Sequence, residues 1–255
     1  MSVFRLTDAR TDALTEVQPT RRRLLRVCVH APTTSGEQSD LLRVLLVADV
    51  VARSADLQDV HAVVLVACSD TPAQAAARLK DHAAALNIHP PGEFTTTAEV
   101  TQAAADYVGL HITGPGTLPG VQPTTPLIEV GPVQPPDVLT RPAAEPLAAR
   151  LVLLEAGYRA PAVLTEPTLA EAGETLAQWR RQVASWATFS SRPIHPQTEH
   201  LCRDALADDL DTGRVVSALH RLAADPDVPE GAKFETFAHL DRILGLDLAR
   251  DIGRI

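Results

Sequence analysis

The sequence predicts an α/β fold, a partial Rossmann-like parallel sheet, followed by an α-helical bundle. Three observations carry this. Apolar, β-branched runs alternate with helix signals over the first 113 residues, nine prolines crowd the stretch 114–146, and helical periodicity fills the remainder. The expected units are therefore a reduced sheet domain at 1–113, a proline-rich connection at 114–146 and a helical bundle at 147–255.

Residues 24–30 form a short apolar run of strand character. Ser39 is placed to cap a following helix that carries Leu41, Leu42, Leu45, Leu46, Val50 and Val51 on one side. Residues 61–67 are apolar without alternation, as a parallel strand buried on both faces requires. Asp70, Thr71 and Pro72 open an alanine-rich helix to about Asn87, since proline is tolerated in a first turn. A further helix over 98–106 leads into a third strand-like run at 107–112. Strand and helix alternating in this way make half of a doubly wound sheet.

Proline fixes φ and removes an amide donor, so 114–146 can hold no long helix or central strand. It reads as an extended connection with one edge strand at 127–130. Helices follow at 147–156, stopped by Gly157, and from Thr165-Glu166-Pro167 to Trp186, the first of these an N-cap residue. Three more are expected at 197–207, 213–224 and 232–244, and the short loops between them predict antiparallel packing.

The net charge of −9 and 4% aromatic content argue against broad nucleic-acid binding, which needs concentrated Lys and Arg or stacking rings. Arg21-Arg22-Arg23 with Arg26 reads as a solvated flank of the first strand rather than a phosphate contact. The three cysteines are scattered without CxxC spacing, which suits a reducing, cytoplasmic setting. No signal-peptide or membrane-spanning pattern is seen, so neither a leader nor a membrane partner is expected. No GxxxxGK[ST], GxGxxG, GxSxG or HExxH run occurs, which removes the usual NTPase, dinucleotide, serine-hydrolase and zinc-protease readings.

Six runs then stand in order along the chain: Phe4-Arg5-Leu6-Thr7-Asp8, Val29-His30-Ala31-Pro32-Thr33, Ala48-Asp49-Val50-Val51-Ala52-Arg53, Ala85-Leu86-Asn87-Ile88-His89-Pro90-Pro91, Ala156-Gly157-Tyr158-Arg159, and Ala205-Leu206-Ala207-Asp208-Asp209-Leu210-Asp211-Thr212. Together they resemble cysteinyl-tRNA synthetase and its relative, the ligase that joins cysteine to glucosaminyl-inositol. The second run sits where that family has Val-Cys-Gly-Pro-Thr, the fourth where it has Ala-Leu-Asn followed by Pro-Pro, and the sixth where it has Ala-Leu-x-Asp-Asp-Leu-Asn-Thr. The resemblance implies a sheet of the class I synthetase type.

The departures from that pattern concern the chemistry. Where the family's His-Ile-Gly-His signature should fall, this chain has Gln38-Ser39-Asp40-Leu41. Where Lys-Met-Ser-Lys-Ser should fall, it has Thr125-Pro126-Leu127-Ile128-Glu129. Without imidazole or lysine, charge developing on pyrophosphate has no partner, and adenylate formation should be lost at about 3 kcal/mol per missing donor. The family's zinc uses the cysteine of Val-Cys-Gly-Pro-Thr as its first ligand. Here that position is His30, and the other ligands, a Cys and a His-x-x-x-Glu, fall in a half of the sheet that is absent. The chain stops near Ile255, so the anticodon-binding tail, and with it sequence-specific tRNA recognition, is not expected.

The expected protein is thus a non-catalytic, synthetase-like pseudoenzyme acting as a binding or protein-interaction module, with zinc and ATP lost, no metal ligands and no catalytic residue assigned. A residual small-molecule pocket would be lined by His30, Thr33, Ser69 and Asp70, although Ser69 and Asp70 also suit capping of the helix at Pro72. Cys28 and His30 share a strand face and could form a nucleophile pair, the alternative being a buried, inert thiol. Asp208, Asp209 and Asp211 read as the acidic start of the next helix. Homodimerisation or a protein partner is expected to cover faces left apolar by the deletion. The alternative function is a repurposed amino-acid ligase or transferase acting on a pre-activated or cysteine-like substrate.

Overall fold

The structure, a computed structural model, describes residues 4–31, 38–67, 73–91, 93–95, 108–116 and 125–254. Two short strands, β1 (Phe4–Thr7) and β2 (Leu14–Val17), form an antiparallel hairpin. The main sheet holds β3 (Leu24–His30), β4 (His61–Ala67), β5 (Glu93–Thr95), β6 (Leu110–Thr113) and β7 (Leu127–Glu129), all parallel, in the order β5-β4-β3-β6-β7. The chain therefore steps outward from β3 on one side, then returns to β3's other side to lay down β6 and β7. That reversal is the topological switch of a doubly wound sheet, where α/β proteins open a crevice at the strands' carboxyl ends.

Strand β3 is central and buried along most of its length, as its apolar run requires. Strand β4 departs from the expectation of full burial: its first residues are exposed or half-buried. The reason is pairing, since β5 reaches only Leu65–Ala67 and leaves the first half of β4 with one open edge among the described residues. Strand β7 occupies the edge position expected for residues 127–130, in a stretch too rich in proline for anything central. The helix expected at 98–106 lies outside the described residues.

Helix α1 (Gln38–Asp56) buries nearly its whole circumference, not one side. Leu42, Leu45 and Val51 are fully or almost fully buried, and so are Arg43, Asp49 and Ser54. The helix lies between the sheet and the helical layer, so its polar residues must find partners inside the protein. Ser39 is not a cap: it lies within α1, and its hydroxyl accepts the Leu139 amide at 3.2 Å.

Helix α2 (Ala73–Ala85) ends in a left-handed Asn87, φ 52°. Beyond β7, Val133–Gln134 (β8) pairs in parallel with Ala162–Val163 (β9). Helix α3 (Pro146–Glu155) precedes Gly157, which takes φ 65°. Thr165 caps α4 (Glu166–Trp186) through a reciprocal pair with Thr168, and the helix ends at Trp186 as the sequence implied. Helices α5 (Pro196–Ala207), α6 (Thr212–Ala224) and α7 (Glu230–Leu244) complete the layer. Trp179 of α4, 2% exposed, meets Phe237 of α7 edge-on at 5.7 Å. One apolar core runs from the sheet through α1 into this layer. No helix is long and apolar enough to cross a membrane among the described residues. Among the described residues, the exposed large apolar side chains Leu14, Val163, Phe189 and Ile252 lie far apart along the chain.

Candidate functional site

The parallel register places side chains in rows. Cys28 of β3 stands opposite His111 of β6, and His30 stands opposite Thr113. Positions i and i+2 of a strand share a face, so Cys28, His30, His111 and Thr113 all point to one side of the sheet. The alternate positions Val27, Val29 and Ile112 belong to the core cluster that includes α1, whereas Cys28 packs in a separate cluster with Ala67 and Val108, which puts the four on the side away from α1. Cys28, His30 and His111 are all buried, at 0%, 8% and 3% exposure. The two rings share a hydrogen bond, His30 Nε2 to His111 Nδ1 at 2.9 Å, and one donor atom from each of the three residues lies within 4.8 Å of the others. The cluster sits between β3 and β6 near their carboxyl ends, at the switch point.

Burial sets the charge state of all three. It lowers both imidazoles to about 4, with the neighbouring ring and the Arg10 cation pushing His111 in the same direction. It pushes the Cys28 thiol up to about 12. At neutral pH these are a thiol and two neutral imidazoles, not a thiolate–imidazolium pair, so the Cys28–His30 nucleophile reading is disfavoured.

The first turn of α1 lies at the same edge of the sheet, where a synthetase would hold nucleotide phosphates. Here the Asp40 carboxylate accepts the buried Val133 amide at 2.6 Å, beside the Ser39–Leu139 bond. One turn on, the Arg43 guanidinium donates to the carbonyls of Gly131, Pro132 and Gly157 at 2.8, 3.0 and 2.7 Å. Burial lowers Arg43 to about 10, still a cation at neutral pH. Gly131 admits no side chain: an added Cβ would lie 2.5 Å from the Arg159 carbonyl oxygen. At the second signature's place, the Leu127 amide donates to Asp8 at 3.1 Å, and Asp8 is held down at about 2, chiefly by its hydrogen bond with Arg10. Both positions are engaged in ties between segments of the chain.

The runs that resemble the synthetase family converge elsewhere, at two polar junctions. Asp49 pairs with Arg53, Arg150 and His89, while Arg53 and Arg150 also donate to the Asn87 carbonyl. The Asn87 side chain donates to the carbonyl of Gly245, whose φ of +63° and proximity to Arg150 exclude any Cβ. In the second junction Asp209 accepts the Thr7 amide, the Thr7 hydroxyl and the Tyr158 hydroxyl at 2.8, 2.9 and 2.5 Å. The acidic run is thus divided among three tasks: Asp208 meets Arg5, Asp209 ties β1 to Tyr158, and Asp211 caps α6. A shared dipole role for all three is corrected accordingly.

Of the residues expected to line a pocket, His30 lies in the cluster, whereas Thr33, Ser69 and Asp70 lie outside the described residues. His30, at the family's first ligand position, lies in the described structure with Cys28 and His111. It is thus not the isolated ligand type that spacing alone suggested. His111 was missed because its row-mate is 83 positions earlier (Cys28↔His111). The signal available was the third strand-like run; placing it next to the first strand, as a switch in strand order demands, would have joined the residues.

No protein-family model matches the chain. A cysteine:glucosaminyl-inositol ligase of Streptomyces griseus is 39% identical over 117 residues, 43% of this chain and 27% of that ligase. A cysteine–tRNA ligase of Methylocella silvestris is 38% identical over 104 residues, 41% of this chain and 20% of that protein. The ligase of Saccharopolyspora erythraea is 35% identical over 112 residues, again a quarter of its length. The matched part spans about a quarter of the curated relatives. Over some two fifths of its length, then, this chain is a cysteinyl-tRNA synthetase-like relative of the cysteine ligases.

Proposed function

We propose that this chain is a synthetase-like binding module that has given up adenylate formation. The observation that carries the reading is the Asp40 carboxylate, a buried acceptor for the Val133 amide in the first turn of α1. A triphosphate brought to that turn would meet a negative charge that cannot swing away without leaving a buried amide unpaired. Nearby Arg43 does not compensate, because its guanidinium is already held by three carbonyls. A partner protein, a second copy or a small molecule would supply the biological role, and tRNA recognition is not part of it. The ligase or transferase alternative would rest its chemistry on Cys28, His30 or Asp70; the neutral Cys28–His30 pair lends it no support, and Asp70 lies outside the described residues.

Magnesium-ATP at millimolar concentration should leave the thermal midpoint unchanged to within about 1 °C, with or without cysteine. A site with micromolar affinity would add about 4 kcal/mol at a thousandfold excess and move the midpoint by several degrees. Such a rise, and its loss on removing cysteine, would contradict the proposal.

A further inference from the structure

We propose that the open half of β4, with the groove beside it, docks an extended segment of a partner protein that carries one apolar side chain and, two positions away, one basic side chain. This names a partner within the binding-module reading, yet the site itself stands whether or not the chain makes an adenylate.

The edge is open for a reason written in the sequence. His61 donates its amide to the Arg23 carbonyl and the Ala67 carbonyl accepts from Ala31, so odd-numbered residues of β4 turn their backbone groups toward β3. Even-numbered residues turn theirs the other way, toward β5. With Leu65 opposite Glu93, the next ladder bond toward the start of β4 would run from the amide of residue 91 to the Ala62 carbonyl. That residue is Pro91, which has no amide to donate. Ala62 therefore keeps both backbone groups, and Val64 its amide, without a backbone partner among the described residues. Such a row of free donors and acceptors is the template on which an added strand forms.

The same half-strand floors a cavity of about 330 Å³. Ala62 and Val64 stand opposite Leu25 and Val27 of β3, and so face α1. Above them Leu45, Asp49, Ala52 and Asp56 make one stripe of α1 at helical spacing, and Ile88 and Pro91 close the far side. The volume is at the low end for ligand pockets and suits an inserted side chain. A strand added along Ala62 would turn its alternate side chains into this space. Edge and cavity together supply main-chain bonds for affinity and a side-chain pocket for selection.

Charge selects the occupant. The Asp49 carboxylate is already held by Arg53 and Arg150. Asp56, exposed at the rim, has no ion pair among the described residues. It lies one turn beyond Ala52, a rise of about 6 Å, close to the about 6.6 Å between alternate residues of a strand. An apolar side chain under Ala52 thus puts a Lys or Arg two positions on beside Asp56. Arg23, the cation at this end of β4, stands on the β3 side and donates to the Gln58 and Asp59 carbonyls. A second copy of this chain, at net charge −9, would bring an acidic body to an acidic rim.

The test titrates the whole chain with fluorescein-labelled heptapeptides and reads fluorescence polarisation. Each is threonine throughout, except for a central valine, leucine or phenylalanine and a lysine two positions to either side; a matched set carries glutamate for lysine. At least one lysine peptide should bind saturably, and its glutamate counterpart about tenfold more weakly, the scale of exchanging exposed attraction for repulsion. Asp56→Lys should reverse that preference. Ala62→Pro removes the outward amide while leaving the bonds to β3 in place, and should weaken the lysine peptide about tenfold with circular dichroism unchanged. No saturable binding of any lysine peptide at millimolar concentration would overturn the proposal. So would equal binding of the glutamate set, or binding that both substitutions leave untouched. A dimer in sedimentation that Ala62→Pro dissociates would give the edge to a second copy and overturn the partner. If Ala62→Pro fails to fold, the reversal by Asp56→Lys decides alone. The shift with magnesium-ATP is read separately, so peptide binding and the loss of adenylation can each fail without the other.

Discussion

In the presence of a chelator, the folded chain should lose stability steeply as pH falls from about 6.5 to about 4. Both His30 and His111 are buried and held near 4, well under the ordinary 6.5. The unfolded chain takes up both protons near pH 6.5, whereas the folded chain resists until about pH 4. Across that window the unfolded state binds more protons, so stability rises with pH by up to about 2.7 kcal/mol per unit for two protons. The groups facing them do not blunt the effect: Cys28 is neutral throughout, and the Arg10 cation acts on His111 in the same sense. A loss of several kcal/mol is a large share of a domain's usual 5–15 kcal/mol. Urea midpoints at pH 7, 6 and 5 measure it. His111→Gln should remove roughly half the slope, and a profile flat between pH 7 and 5 would contradict the burial of the pair.

Replacing Arg150 by Met should destabilise the chain by about 3–5 kcal/mol, the range for removing one partner of a buried ion pair. The side chain is fully buried, pairs with Asp49 at 2.8 Å and donates to the carbonyls of Leu86, Asn87 and Leu244. It therefore ties α1, the end of α2, α3 and the end of α7 in one place. Asp49 would keep Arg53 and His89, which holds the loss toward the lower end, but the Leu86 and Leu244 carbonyls would lose a charged donor. At about 2–4 °C per kcal/mol for a chain of this size, the thermal midpoint should fall by roughly 10 °C. Arg150→Lys should not rescue it, because three donors on a point charge cannot span carbonyls on opposite sides of a planar fork. By contrast Arg141→Ala, which removes an exposed pair with Asp137, should leave the midpoint unchanged within error. A midpoint fall of under 3 °C for Arg150→Met would show that the junction is replaceable.

Much of this fold was legible locally. Thr165 followed by Pro167, and Gly157, mark helix ends through local backbone and capping preferences, so their positions follow from sequence. The runs at 24–30 and 61–67 were legible for a different reason, an apolar, β-branched composition that suits a buried strand, although their hydrogen bonds are long-range. What sequence concealed was set at long range. Strands β2, β5, β8 and β9 have two to four residues each, and partners rather than propensity define them. The all-round burial of α1 depends on a helical layer more than a hundred positions away. The same holds for the candidate site. His30 was visible as a substituted ligand position, but Cys28, His30 and His111 become one cluster only once β6 lies beside β3.

The resemblance to cysteine ligases divides along the same line. Asp49, Arg53, Asn87, Tyr158 and Asp209 carry it, and all five serve the junctions that hold sheet to helices. At the first signature's place, Ser39 and Asp40 act in ties to Val133 and Leu139; at the second's, the Leu127 amide is held by Asp8. In the proposed reading the chain keeps the scaffold and gives up the chemistry.

Cysteine-dependent exchange of labelled pyrophosphate into ATP, measured with zinc and magnesium supplied, tests this most directly. With Asp40 and Leu127 locked into the scaffold, exchange should stay at the level of a no-enzyme blank. Turnover clearly above that blank, abolished by omitting cysteine, would mean that other groups hold the phosphates and that the chain still makes an adenylate.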